Sequence, residues 1–294
     1  MIAPRCAVRR IAGVPLLTAL LLLTIPVPAV AEAGSVTRDG GPTRPSTYDD
    51  FMMLAQPYAK DMTAYNPMFF LLGTDLAKST FQISFKYHFL DSSRPGRGWM
   101  DGMHFAYTQT SFWDLKDESL PFKDTSYKPE LFYLSGNLAG RGDDQTLGFF
   151  LKGGAMHESN GQGGPQSRST NYLYIEPIVI FYNPASRFGL RVSPRLWVYV
   201  GNSNADNPDL HAYRGYFRLN LKLGRADGVV VTTDLGWAHR GGSVKLDVTR
   251  PLNVAVFRDL RFFLHIQYTN VLAESLINYR KRTDVIRLGF SFVR

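Results

Sequence analysis

Along most of this chain, apolar and polar side chains alternate one by one. Phe81, Ile83, Phe85, Tyr87 and Phe89 are separated by Gln82, Ser84, Lys86 and His88. Phe217, Leu219, Leu221 and Leu223 alternate with Arg218, Asn220 and Lys222, and Phe262, Leu264, Ile266 and Tyr268 lie opposite His265 and Gln267. A period of two marks strands with one apolar and one polar face. About twelve such runs begin near Asn66, Ser79, Trp99, Tyr127, Asp143, Asn171, Phe188, Ala212, Asp227, Gly242, Arg258 and Lys281. Turn signals separate them, among them Ser92-Ser-Arg-Pro-Gly96, Arg141-Gly-Asp-Asp144, Tyr182-Asn-Pro-Ala-Ser186 and Arg240-Gly-Gly242.

A soluble sandwich would bury the apolar faces between two sheets; a transmembrane barrel would turn them to lipid. Two features favour an all-β, antiparallel transmembrane barrel. The polar faces carry bulky charged side chains, and the runs reach the roughly ten residues a tilted strand needs to cross a bilayer. The even count suits a closed bacterial barrel. The last run ends Leu288-Gly-Phe-Ser-Phe-Val-Arg294, with Phe292 two places before the terminal Arg294. After residue 31 no apolar run approaches the roughly 20 residues of a membrane helix.

The N-terminal segment implies a compartment. Arg5, Arg9 and Arg10 precede an apolar run from Ile11 to Ile25, Pro26 and Pro28 break it, and Ala29-Val-Ala31 supplies small residues. Residues 1–31 read as a secretory signal peptide cleaved near Ala31. The single cysteine, Cys6, lies inside it, so the mature chain would hold no disulfide, thiol nucleophile or thiolate-bound metal. Three of the 33 basic residues and none of the 25 acidic ones fall there, leaving a surplus of five. That surplus suits an anionic lipid surface, and no nucleic-acid-binding motif accompanies it. Together these features suggest the Gram-negative outer membrane. Residues 32–65 are polar and irregular and read as an N-terminal, periplasmic-side extension; residues 66–294 form the barrel.

One stretch carries candidate chemistry: Ala155-Met-His-Glu-Ser-Asn-Gly-Gln-Gly-Gly-Pro-Gln-Ser-Arg-Ser-Thr-Asn171. His157 and Ser159 stand two apart, on one face of a strand. Leu147, Phe149, Leu151 and Ala155 share that face, so it is the lipid-facing one. On the next strand Asn171 shares its parity with Leu173, Ile175 and Val179, so it too points outward. A lone outward His near the membrane interface is usually structural. Three polar groups converging there are costly, and polar groups at membrane depth tend to be functional. Ser159 as nucleophile, His157 as base and Asn171 as the group fixing the imidazole form an activated-serine pattern, with a structural role the standing alternative. A neutral orienting group lends no charge to the imidazolium, which makes separate oxyanion stabilisation more important. Gly161, Gly163 and Gly164 let backbone amides approach a substrate. Ser167 and nearby carbonyls are oxygen donors suited to Ca²⁺, although a glycine-rich turn with one serine is more often only a loop.

The segment from His157 to Tyr174 resembles the active-site stretch of the outer membrane phospholipase A family. So do Tyr107-Thr-Gln109, Ser119-Leu-Pro-Phe122, Tyr127-Lys-Pro-Glu-Leu-Phe132, Gly201-Asn-Ser-Asn-Ala-Asp-Asn-Pro-Asp209 and Glu274-Ser-Leu-Ile-Asn-Tyr279. The resemblance runs from about residue 60 to the C-terminus. It implies a twelve-stranded barrel with its site on the outer face, hydrolysing acyl esters of phospholipids and lysophospholipids, dependent on Ca²⁺ and active as a homodimer. By resemblance His157 is the base, Ser159 the nucleophile, Asn171 the orienting residue and Gly161 an oxyanion amide. The Gln162 carbonyl and the Ser167 hydroxyl would ligate calcium, with Ser119 supplied by the partner chain. Position 162, often Arg in relatives, is Gln here, which a carbonyl ligand tolerates. Leu120 replaces a polar residue beside Ser119. Gln109 is expected in the dimer contact, with a lumen-facing amide as its alternative. The rival readings are a passive pore or structural barrel, and an inactive lipid-binding relative.

Overall fold

A computed structural model describes residues 62–89, 98–119, 121–140, 146–202, 206–252 and 262–294. The expected signal peptide, the expected extension up to residue 61, the turns expected at 92–96 and 141–144 and Leu120 lie outside the described residues.

The described residues form thirteen strands: β1 (Met62–Ala64), β2 (Met68–Gly73), β3 (Ser79–His88), β4 (Met103–Trp113), β5 (Phe122–Leu134), β6 (Leu147–Ser159), β7 (Ser169–Asn183), β8 (Phe188–Tyr199), β9 (Phe217–Arg225), β10 (Val230–Ala238), β11 (Gly241–Pro251), β12 (Phe263–Leu272) and β13 (Arg282–Val293). From β2 to β13 each strand pairs antiparallel with the next, and β13 returns to β2, so twelve strands close the wall. Closure leaves no unpaired edge to face hydrocarbon. The extra strand, β1, pairs with β3 through Met62–Tyr87 to Ala64–Phe85 and continues the line of β2. Strand pairing therefore begins four residues before the boundary drawn at 66.

The alternation sets the two faces. On β13, Ile286, Leu288, Phe290 and Phe292 are exposed outward, while Val285, Arg287 and Ser291 are buried. On β8, Leu196 and Val198 point out, while Ser193 and Trp197 are buried. Near one rim, Trp113 packs against Phe70, Phe81 and Phe122 at centroid distances of 5.0–5.3 Å, a girdle of the kind that sits at a membrane interface. A bulge between Ser291 and Val293 breaks the register with β2. Past it, Arg294 donates to the carbonyls of Gly228 and Ala226 at 2.8 and 2.5 Å and lies over the Phe263 ring. That is the physical account of an arginine following Phe292.

Ala212, expected to open a strand, belongs to a one-turn helix, α1 (Leu210–Arg214). Gly215 ends it at φ +72°, where a Cβ would stand 2.2 Å from the Trp237 carbonyl oxygen. At the same rim Leu210 packs on Ala273, Leu276 and Tyr279 of the β12–β13 loop.

Candidate active site

Strands β6 and β7 carry the candidate residues at their shared rim. Their register pairs His157 with Asn171 and Ser159 with Ser169. Across the other edge Ser159 pairs with Tyr127 of β5, which in turn pairs with Gln109 of β4. Residues directly opposite in an antiparallel ladder share a face, so Gln109, Tyr127, Ser159 and Ser169 form one row around the outer surface. The burial alternation of β6 agrees: Gly148, Lys152, Met156 and Glu158 are buried, and Leu147, Phe149 and Leu151 are exposed.

His157 Nδ1 lies 2.6 Å from Asn171 Oδ1. A carbonyl oxygen only accepts, so His157 donates its Nδ1–H and keeps a lone pair on Nε2. That is the tautomer a general base toward Ser159 requires. Ser159 stands two residues along the strand, half-buried like His157.

Between β6 and β7 the chain turns through residues 160–168, and a buried side chain organises that turn. Asn160 accepts the backbone N–H of Arg168 at 2.9 Å and of Gln162 at 3.3 Å, and donates Nδ2–H to the Gln166 carbonyl at 2.9 Å. Gly161 has φ +66°, and a Cβ there would come 2.7 Å from the Tyr127 ring. No other residue adopts that conformation so cheaply while lying against an aromatic face. Ser167 donates its backbone N–H to the Gly164 carbonyl at 3.1 Å, and Arg168 donates to the Ser167 carbonyl at 2.7 Å.

Behind this turn, on the lumen face, Glu158 is buried and paired with Arg214 of α1 at 2.5 Å. The residue between His157 and Ser159 thus ties the candidate site to α1. Asn171 is held from the far side by Gly201 and Asn202, which follow β8. Asn160, Asn202, Tyr127 and the Glu158–Arg214 pair adjoin the site without belonging to the pattern that marks it in the sequence. Parity turns Asn160 and Glu158 away from the candidate face, and the segment with Asn202 carried only a resemblance.

Gln109 faces outward, not into the lumen. It accepts from Tyr107 Oη–H at 3.1 Å and donates to Ser111 Oγ at 3.3 Å, and Ser111 meets Thr125 at 3.1 Å. Its even-numbered neighbours Thr108 and Thr110 take the buried lumen face. Ser119 sits apart, in the loop between β4 and β5. Its backbone N–H and hydroxyl both approach Asp117 Oδ1, at 3.1 and 3.4 Å. Its own chain gives it no bond to Gln162 or Ser167 among these contacts. Among the described residues no group of three or more His, Asp or Glu side chains could hold a metal. Any cation at the 160–168 turn would meet neutral oxygens.

The fold and the placement of these groups define a class: a closed membrane barrel bearing a serine, histidine and asparagine on its lipid-facing wall. A family model described as phospholipase A1 matches residues 49–292, and the chain belongs to that family. It is 33% identical over 190 residues to phospholipase A1 of Escherichia coli, across 63% of this chain and 60% of that relative. It is 35% identical over 192 residues to phospholipase A1 of Klebsiella pneumoniae, with the same shares. The chain thus spans about 60% of the length of the curated relatives it matches. Among solved structures, outer membrane phospholipase A of Escherichia coli superposes with a TM-score of 0.62, at 24% identity, over 79% of this chain and 94% of that one. A Salmonella typhi outer membrane phospholipase dimer with bound calcium gives 0.64, at 24% identity, over 83% and 96%. At that identity the likeness speaks for the fold.

Proposed function

We propose that this protein is an outer membrane phospholipase that cleaves acyl ester bonds of phospholipids and lysophospholipids with Ser159, His157 and Asn171. The observation that carries the reading is the 2.6 Å contact of His157 Nδ1 with Asn171 Oδ1, on the lipid face beside Ser159. Ser159 Oγ attacks the acyl carbonyl while His157 Nε2 takes its proton. Asn171 holds the imidazole as it becomes imidazolium, and the Gly161 N–H donates to the oxyanion. His157 then protonates the departing alkoxide, and water, deprotonated by the same imidazole, releases the acyl group from Ser159. Placing this chemistry on the outer wall lets a lipid react without leaving the membrane.

Calcium fits the site by its donor chemistry: the Gln162 carbonyl and the Ser167 hydroxyl are hard oxygen ligands on one turn. Bound there, Ca²⁺ would stabilise negative charge developing on the substrate. Two neutral oxygens are far fewer than the six to eight Ca²⁺ takes, so further ligands must come from water and from a second copy. Ser119, on a separate loop and unengaged with this turn, is the residue assigned to the partner's site. The outward, half-buried Tyr107, Gln109 and Thr125, linked through the buried Ser111, support a homodimer, because hydroxyls and an amide facing hydrocarbon are costly unless another protein surface covers them. The Salmonella relative, crystallised as a dimer with calcium, agrees with this reading.

Purified full-length protein in mixed micelles should release fatty acid from phosphatidylcholine only with Ca²⁺. Ser159→Ala should abolish release while the folded band still shifts on heating in a gel. Hydrolysis unaffected by Ser159→Ala would overturn the assignment. Cross-linked dimers should turn over faster than isolated monomers, and equal rates would remove the dimer from the mechanism.

A further inference from the structure

An asparagine that orients a histidine carries a hazard that an aspartate does not. A carboxylate presents an oxygen whichever way it turns. An amide turned by 180° about its last bond presents NH₂ in place of oxygen. A donor facing His157 Nδ1 would hold the Nδ1 lone pair and send the ring proton to Nε2. In the proposed mechanism Nε2 takes the proton of Ser159, so the base would be lost without any atom of the backbone moving. A neutral orienting group therefore needs a second group to fix which end faces the histidine.

The residues after β8 supply that group. Asn202 Oδ1 accepts the backbone N–H of Asn171 at 2.6 Å, and Asn202 Nδ2 donates to the Asn171 carbonyl at 3.2 Å. The two asparagines are thereby clamped side by side. The Asn171 carbonyl also accepts the Val200 N–H at 3.0 Å. Two acceptors, Asn202 Oδ1 and the Gly201 carbonyl, stand 3.5 Å from Asn171 Nδ2. Gly201, at φ +58°, makes the turn that brings them there. Turning the Asn171 amide would set its oxygen against both acceptors and its NH₂ against the imidazole. Both ends of the side chain thus favour one orientation.

We infer that Asn202 is a positioning residue for the esterase reaction, locking the Asn171 amide so that His157 keeps its proton on Nδ1. This rests on the proposed Ser159–His157–Asn171 mechanism. Asn202 touches no reacting atom and acts through Asn171.

The lock is tested in the full-length protein. Asn202→Ala should lower kcat about tenfold or more, with KM changed less than about twofold. Asn202→Asp, which retains an acceptor for both Asn171 N–H groups, should keep kcat within about threefold. In an Asn171→Asp background, where no wrong end exists, Asn202→Ala should have almost no further effect. An independent readout is the ¹⁵N spectrum of histidine-labelled protein, with His157→Gln used for assignment. The His157 signals should report Nδ1–H in the unmodified protein and a shift toward Nε2–H in Asn202→Ala. A His157 tautomer unchanged by Asn202→Ala would overturn the inference, as would an equal loss of kcat in both Asn171 backgrounds. The tautomer is read without turnover. If the unmodified protein failed to hydrolyse phospholipid, the proposed function would fall while the lock could still be judged.

Discussion

Gly161 concentrates the demands on a single residue. Its φ of +66° costs an L-residue about 1–2 kcal/mol, and its α-carbon lies against the Tyr127 ring. Gly161→Ala should therefore displace the amide assigned to the oxyanion and slow labelling of Ser159 by a fluorophosphonate about 10- to 1,000-fold. The heat-modifiable gel shift should survive, since the turn lies outside the strand ladder. Adding Tyr127→Ala should restore part of the rate by removing the clash but not the backbone strain. Full labelling by Gly161→Ala would release that amide from its role. Strand parity alone put His157, Ser159 and Asn171 on one face, and the structure joins the first and third directly. Parity could not reveal Asn160 or Asn202. The first faces inward by the same rule, and the second reaches Asn171 from a loop 31 residues on, a separation no local pattern encodes.

At the scale of elements, α1 and the 273–281 loop form a cap over the rim that holds the site. Leu276 is fully buried and touches Leu210, Ala273 and Tyr279, so Leu276→Ala should cost about 2–5 kcal/mol, read from the urea midpoint of the gel-shifted band. The cap is also fastened by Asp209, which accepts from Arg280 at 2.9 Å and from Tyr279 Oη–H at 2.5 Å. Those bonds, Arg280's foremost, hold the Asp209 carboxyl below its ordinary range. A carboxylate so lowered stabilises the cap at all pH values above the ordinary range, and the contribution fades as pH falls through the lowered value. Asp209 is partly exposed, so the effect is small and local. Hydrogen exchange of residues 276–281, corrected for intrinsic rates, should rise as pH drops from 6 to 3 and should be pH-independent in Asp209→Asn. This cap was the least legible part of the fold. Alternation announces strands that span the bilayer, whereas Ala212 sits in a five-residue helix too short for any period to show.

For the whole molecule, the question is what fills the lumen of a barrel whose proposed active site is on the outside. Lys152, nearly fully buried, lies 3.0 Å from Glu130 and 3.8 Å from Glu176, and Arg195 closes the set at 2.6 Å from Glu176. Tyr65 and Tyr174 donate to Glu130, and Lys152 also stands over the Phe132 ring at 4.4 Å. These residues come from β5, β6, β7 and β8 and from the link between β1 and β2, so the network reaches in from separate parts of the wall. On the other side Arg287 pairs with Glu274 at 2.7 Å, and His265 joins Asp247 and Ser291 at 2.7 Å each. Charges paired to one another in this way brace a wall, which gives part of the lumen's polar lining a role other than conduction, the property the pore reading requires. In planar bilayers the protein should show no steady conductance, and a stable open channel would reinstate that reading. Lys152→Ala should cost about 3–5 kcal/mol because it leaves Glu130 and Glu176 to share Arg195 alone, 3.9 and 2.6 Å away. Lys152→Met with Glu130→Gln should recover much of that loss, since it removes the buried charge together with its partner. Fatty-acid release per folded molecule should change little in either variant, because the lumen network shares no hydrogen bond with His157 or Ser159. A large loss of turnover in the folded double variant would show that the lumen charges shape the outer site after all.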